Sequence, residues 1–188
     1  MTDRPRILLF TGDGKGKTTA ALGLALRAAG HGAAAIILQF LKAPPEAGAA
    51  PTGESAAAHL LRDVVIAQVG LGFVPPEGDP RRAEHRDAAR AGLRRAEQAI
   101  ASGVYPVIVL DEICLAVSLG LLEEADVIAA VRKAAPGTCI VLTGRGAIPT
   151  DANKGAPGLI DLADTVTEMR CVKHAYDSGT TAQKGVEF

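Results

Sequence analysis

This chain has no tryptophan, three cysteines and no excess of either charge. Its 20 Lys and Arg stand against 21 Asp and Glu, a net charge of −1, so charge gives no reason to expect a nucleic-acid or membrane partner. No window reaches the ~18 apolar residues of a membrane span. The apolar run in "MTDRPRILLF" is too short for a secretory signal, which predicts a cytoplasmic protein. Cys114, Cys139 and Cys171 lie far apart with no Cys-x-x-Cys, which argues against a zinc site or a disulfide framework. Reduced thiols buried in or beside strands are the expectation. His31, His59, His85 and His174 lack metal-ligand spacing, and no Ser-His-Asp or Cys-His arrangement stands out.

What is present is an alternation. The 188 residues, 48% of them hydrophobic, suit one domain spanning 1–188 with a sizeable core. Strand-length apolar runs cover Arg6–Phe10, Ala33–Phe40, Asp63–Gly70, Tyr105–Glu112, Thr138–Gly144 and Asp164–Arg170. Helical segments cover Thr18–Ala29, Arg81–Ala101 and Glu123–Ala134. Continuous apolar character marks strands buried on both faces. Together these predict an α/β fold with a mainly parallel central sheet flanked by helices. Two loops, Ala43–Ala58 (with a short helix after Gly53) and Gly146–Gly158, and a polar tail from Lys173 break the rhythm. In open α/β sheets ligands bind beyond the carboxyl ends of the strands, so these segments are candidate walls or lids.

The first strand runs into "TGDGKGKTT". Gly12, Gly14 and Gly16 let backbone N–H groups curl around phosphate oxygens, and Asp13 and Lys15 lie between them. Lys17 supplies a point charge, Thr18 a hydroxyl for Mg²⁺, and Thr19 continues the helix N-terminus, which carries partial positive charge. The pattern specifies a nucleoside triphosphate site but no reaction. It also departs from G-x-x-x-x-G-K-[ST], because Thr11 stands where the first glycine belongs. A second motif, "VIVLDE", ends an apolar strand in Asp111 and Glu112. Asp111 could hold Mg²⁺, and Glu112 could serve the metal or activate water. Arg145, in "LTGRG", emerges at the ligand edge of the sheet as a phosphate ligand or as the partner of a nearby acid. Arg82, Arg86, Arg90 and Arg94 make an i,i+4 stripe. With Glu84, Asp87 and Glu97 interleaved, it reads as a solvated face. These residues alone leave open a conventional ATPase or kinase.

A series of blocks narrows that choice. "TGDGKGKTTAALG", "QFLK" (39–42), "GLGF" (70–73), "VLDEICLAV" (109–117), "VLTGRG" and "LIDLADTVTEMRCVKHAYDSGTTAQKGVEF" (159–188) occur in one order over nearly the whole chain. In this they resemble the ATP:corrinoid adenosyltransferases. The resemblance implies a RecA-like fold, a homodimer, and ATP, Mg²⁺ and a reduced corrinoid in the site, with a flavoprotein or other reductase supplying Co(I). It implies attack of Co(I) on C5′ of ATP, with the nucleotide reversed along the loop relative to hydrolases. The implied catalytic residues are Phe73, Lys17 and Glu112, with Thr18, Asp111 and Glu112 for the metal. Lys42, Arg145, Lys173 and His174 join the loop as binding candidates. The family places Trp two residues after the Phe that matches Phe73, and this chain has Pro75 there. The first strand follows the N-terminus almost at once, without the covering extension that some members carry, and the 146–158 link is longer than usual. A corrinoid-binding protein without turnover is the non-enzymatic alternative.

Overall fold

The computed structural model describes residues 4–44, 48, 52–149 and 155–186. Parts of the two loops predicted from the sequence (45–47, 49–51, 150–154) and of the tail (187–188) lie outside the described residues. Six strands form one all-parallel sheet: β1 (Arg6–Thr11), β2 (Ala35–Gln39), β3 (Val64–Gln68), β4 (Val107–Asp111), β5 (Cys139–Thr143) and β6 (Thr165–Glu168). Their order is β3-β2-β4-β5-β1-β6. Among the described residues six α-helices connect them: α1 (Lys17–Gly30), α2 (Gly53–Ala58), α3 (Arg82–Ser102), α4 (Ile113–Ser118), α5 (Glu124–Val131) and α6 (Pro157–Leu162).

The unbroken apolar runs have a structural reason. Successive side chains of a strand point to opposite faces, and here both faces are covered. Ile36, Leu38, Ile108, Leu110, Ile140 and Leu142 join one core with residues of α3, α4, α5 and α6. Ile37, Val109 and Val141 join the other, against Ala21 and Ala25 of α1. Ala21 and Ala25 are one turn apart, so a smooth alanine face lets α1 lie close on the sheet. Leu142 has no exposed surface. Its truncation to Ala would cost about 2–5 kcal/mol.

Several sequence expectations need correction. β1 runs one residue further than expected, to Thr11, and α1 begins at Lys17 rather than Thr18. The short helix expected after Gly53 is present as α2, which follows Thr52, whose hydroxyl accepts from the Ser55 N–H. Helices α4 and α6 and a 3-10 turn at Ala175–Ser178 were not expected. Cys171 is exposed, not buried, while Cys114 is buried in α4 and Cys139 is half-buried in β5. The arginine stripe is not uniformly solvated. Arg82 is half-buried and donates to the Pro75 and Leu119 carbonyls. Glu97 pairs with Lys133 rather than with an arginine of its own helix. Among the described residues no helix is long and apolar enough to cross a membrane.

Because every strand is parallel, the ends of β1, β2, β4 and β5 reach one edge of the sheet. β5 lies between β1 and β4, so Thr143 at its end stands between the glycine loop and Asp111.

Candidate active site

The loop after β1 is shaped by close approach. Gly12 and Gly16 have φ of 91° and 111°, a region L-residues rarely occupy. A Cβ on Gly12 would fall 2.5 Å from the Met169 carbonyl oxygen, and one on Gly14 would fall 2.7 Å from Arg170 backbone atoms. The Gly14 N–H donates to the Met169 carbonyl at 2.6 Å, so the residues after β6 brace the loop from outside. Lys17 is 6% exposed, and its ammonium donates to the Gly12 and Gly14 carbonyls at 2.6 Å each. Burial lowers its pKa and the Arg145 charge adds to that, against the pull of Glu112.

Thr11, the departure from the hydrolase pattern, is fully buried at the end of β1. Its backbone carbonyl accepts from Met169 at 2.8 Å, and its hydroxyl has no partner among the described residues.

The acidic pair is built from three strands, β2, β4 and β5, and helix α1. Asp111 Oδ1 accepts from the Thr18 hydroxyl at 2.8 Å and from the Thr143 hydroxyl at 2.7 Å. Its Oδ2 accepts from Gln39 Nε2 at 3.3 Å. The Thr143 hydroxyl in turn accepts from the Glu112 N–H at 2.9 Å. Glu112 has φ 62°, the non-glycine positive φ among the described residues, where it caps α4. Such a conformation costs on the order of 1–3 kcal/mol and persists only where the surroundings impose it. Burial pushes the Glu112 carboxyl above its ordinary pKa, with repulsion from Asp111 adding to it and Lys17 opposing. Its Oε2 is buried with no partner among the described residues.

These parts open on one cavity of about 440 Å³. Gly14, Lys15, Gly16, Lys17, Thr18, Thr19, Lys42, Glu112 and Arg145, all singled out from the sequence, line it. Gly12 and Asp111 stand behind that lining through Lys17 and Thr18. Asp13 is exposed and outside the lining, but its charge acts on Lys17.

Other lining residues escaped the sequence reading: Leu22, Gly53, Glu54, Gly185 and Val186. Glu54 takes hydrogen bonds from Lys42 and, at 3.2 Å, from Gln39 Nε2. Burial is the largest single influence and raises the Glu54 pKa, but the hydrogen bonds from Lys42, the Glu54 backbone N–H and Gln39, together with the Lys42 charge, outweigh it and the net shift is downward. Lys42 is therefore held by an acid rather than free. Gln39 and Thr143 lay inside quoted blocks, yet nothing in their local spacing marked them.

Three further candidates lie outside this lining. Phe73, on the loop after β3, is 93% exposed. Lys173 is exposed. His174 uses Nδ1 to accept from the Tyr176 N–H at 3.1 Å, opening the 3-10 turn.

The geometry can be set beside known proteins. A KaiC-like protein of Pyrococcus horikoshii aligns over 90% of this chain and 72% of its own, with a TM-score of 0.54 at 15% identity. The flagellar accessory protein FlaH of Methanocaldococcus jannaschii does so over 89% and 71%, with a TM-score of 0.54 at 10% identity. At such identities the likeness concerns the fold, which is RecA-like. Sequence relatives are nearer. A corrinoid adenosyltransferase of Pseudomonas aeruginosa is 40% identical over 99% of this chain and 85% of that protein. Corrinoid adenosyltransferase CobA of Salmonella typhimurium is 36% identical over 99% and 87%. Residues 3–188 match the family described as ATP:corrinoid adenosyltransferase BtuR/CobO/CobP. With its loop, acidic pair and full-length match, the chain belongs to the ATP:corrinoid adenosyltransferase family.

Proposed function

We propose that residues 1–188 form a single catalytic domain that transfers the 5′-deoxyadenosyl group of ATP to the Co(I) of a reduced corrinoid. Co(I) supplies the electron pair for the new cobalt–carbon bond. The C5′–O bond breaks, and its pair leaves on intact triphosphate. No protein nucleophile is needed. The work left to the chain is to hold cobalt and C5′ close and in line, and to stabilise charge on the departing triphosphate. The observation that carries this reading is the convergence of Lys17, Thr18 and Glu112 on one cavity, with Asp111 bonded to Thr18 behind it, in a chain of this family.

Lys17 sits under the loop, where its buried charge acts in a low-dielectric setting. Loop N–H groups and Arg145 add to it. The oxygens of Thr18, Asp111 and Glu112 fit Mg²⁺. It accepts one or two carboxylates and takes its other ligands from phosphate and water. The unpartnered Oε2 of Glu112 leaves a carboxylate oxygen available there. When bound, Mg²⁺ would neutralise triphosphate charge. Phe73 would face the corrinoid and exclude its lower axial ligand, favouring four-coordinate cobalt. Lys173 and His174 would approach the substrates from the tail. The resemblance also supports a cytoplasmic homodimer supplied with Co(I) by a flavoprotein or other reductase, and a nucleotide reversed along the loop.

The test mixes the protein with ATP, Mg²⁺ and chemically reduced corrinoid and follows absorbance. A light-sensitive alkylcobalt product is expected. Corrinoid-independent ATP turnover that collapses on Glu112→Gln would instead mark a conventional ATPase or kinase. Tight corrinoid binding with no turnover would mark a binding protein.

A further inference from the structure

Phe73 stands on a loop anchored at both ends. Upstream, the Val69 N–H donates to the Gln39 carbonyl and the Gly70 N–H to the Lys42 carbonyl, each at 3.0 Å. Gly70 lies so close to β2's exit that a Cβ there would fall 2.2 Å from the Phe40 carbonyl oxygen. Downstream, Val74 packs against the larger core and Pro75 is buried. Proline has no N–H, so its carbonyl is the one backbone group by which a hydrogen bond can hold it. Arg82 Nη1 donates to that carbonyl at 2.7 Å.

The same guanidinium reaches further. Its Nη2 donates to the carbonyl of Leu119, the residue that caps the end of α4. α4 starts at Ile113, directly after Asp111 and Glu112. One planar fork therefore links two carbonyls, one two residues beyond Phe73 and the other at the far end of the helix that leaves the acidic pair. A cation at a helix C-terminus is also favoured by the helix dipole. Val74, Pro75, Arg82 and Leu119 line a cavity of about 920 Å³. Open space thus lies between the loop and α4, and bonds to Arg82 help set their spacing. Arg82 Nε is buried with no partner among the described residues. A guanidinium serving only as a solvated surface charge would not be held this way. Arg86, one turn along α3, makes a longer bond, to the Gly120 carbonyl at 3.3 Å.

We infer that Arg82 is a positioning residue, fixing the Phe73 loop, and with it the corrinoid face, relative to α4 and the acidic pair. This rests on the proposed adenosyl transfer. At the position where the family resemblance expects a second aromatic, the chain has a buried proline whose carbonyl Arg82 holds. A misplacement of about 1 Å between reacting groups can cost on the order of 100-fold in rate. Lysine can reproduce only part of the link, because its point charge keeps a donor but lacks the planar fork that reaches both carbonyls.

The test compares wild type, Arg82→Met, Arg82→Lys and Arg86→Met. Three readouts are used: kcat for alkylcobalt formation, KM for ATP, and the electron paramagnetic resonance signature of four-coordinate Co(II) corrinoid. Arg82→Met should lower kcat by about 10- to 100-fold, leave KM for ATP nearly unchanged, and reduce the four-coordinate fraction. Arg82→Lys should restore part of that loss, and it decides the question if Arg82→Met does not fold. Arg86→Met should keep the wild-type cobalt signature. An unchanged signature in the Arg82 variants, or an equal loss in Arg86→Met, overturns the inference. Wild-type protein that makes no alkylcobalt overturns the reading beneath it, whereas wild-type turnover with unaffected Arg82 variants overturns the clamp alone.

Discussion

The two halves of the candidate site differ in how they are built. On the triphosphate side, Lys17, Asp111 and Thr143 are 6%, 1% and 0% exposed, and each is hydrogen-bonded to groups outside its own element. On the proposed corrinoid side, Phe73 is 93% exposed. The difference teaches where organisation is spent. Charge stabilisation depends on dipoles and charges already in place before reaction, because reorienting them then would raise the barrier. A large, flat, mostly apolar substrate face can be met by exposed apolar groups that become covered only on binding.

The sharpest way to break this contrast is Lys17→Met. Turnover should fall by about 10²–10³-fold. The melting temperature should hold or rise, because a desolvated ammonium gives way to an apolar chain of similar length. Steady-state rates and thermal melts check both. A large loss of stability would mean that Lys17 is chiefly a structural strut.

Next in size is Phe73→Ala. Alkylcobalt formation should drop by about 10- to 100-fold. ATP affinity by calorimetry and the melting temperature should both stay at wild-type values, since so exposed a ring contributes little to the core. Weaker ATP binding would blur the boundary between the halves.

A smaller effect separates the walls of the nucleotide cavity. The folded Glu54 pKa lies below its ordinary value. In the acid range the unfolded chain therefore binds more protons than the folded one at this site. Its contribution is complete above the unfolded pKa of about 4.3 and is lost as pH falls through the folded value. The Glu54 and Lys42 side chains are 20% and 39% exposed, so screening limits the effect to about 1 kcal/mol or less. Denaturant midpoints between pH 7 and pH 3 should fall less steeply for Glu54→Gln than for wild type.

The smallest perturbation is thiol labelling. Cys171, exposed beside the loop, should react quickly. Cys114, with its pKa pushed up to about 12 by burial, should stay silent until unfolding. Early labelling of Cys114 would show that α4 opens readily.

The same contrast explains what the sequence disclosed. Doubly buried strands such as Ile36–Leu38 and Val107–Leu110 are legible because apolar runs are local. So is the glycine loop, where turn geometry and charge are packed into eight residues. α4 was missed because "ICLAVS" is a short apolar run with no helical period of its own, and its start depends on Glu112 adopting a left-handed conformation. α6 carried a usable signal, Pro157 at its first turn. Thr143, Glu54 and Arg82 act through partners brought together by folding. The Thr18–Asp111 bond spans 93 residues and the Arg82–Leu119 bond 37. No spacing rule reaches across such distances, so tertiary contacts had to reveal them.

The central claim is that this loop grips a triphosphate that departs whole. Phosphorus nuclear magnetic resonance of a turnover mixture with ATP, Mg²⁺ and Co(I) corrinoid measures that directly. The account predicts free triphosphate accumulating in step with alkylcobalt. Orthophosphate with ADP as the primary products would contradict it.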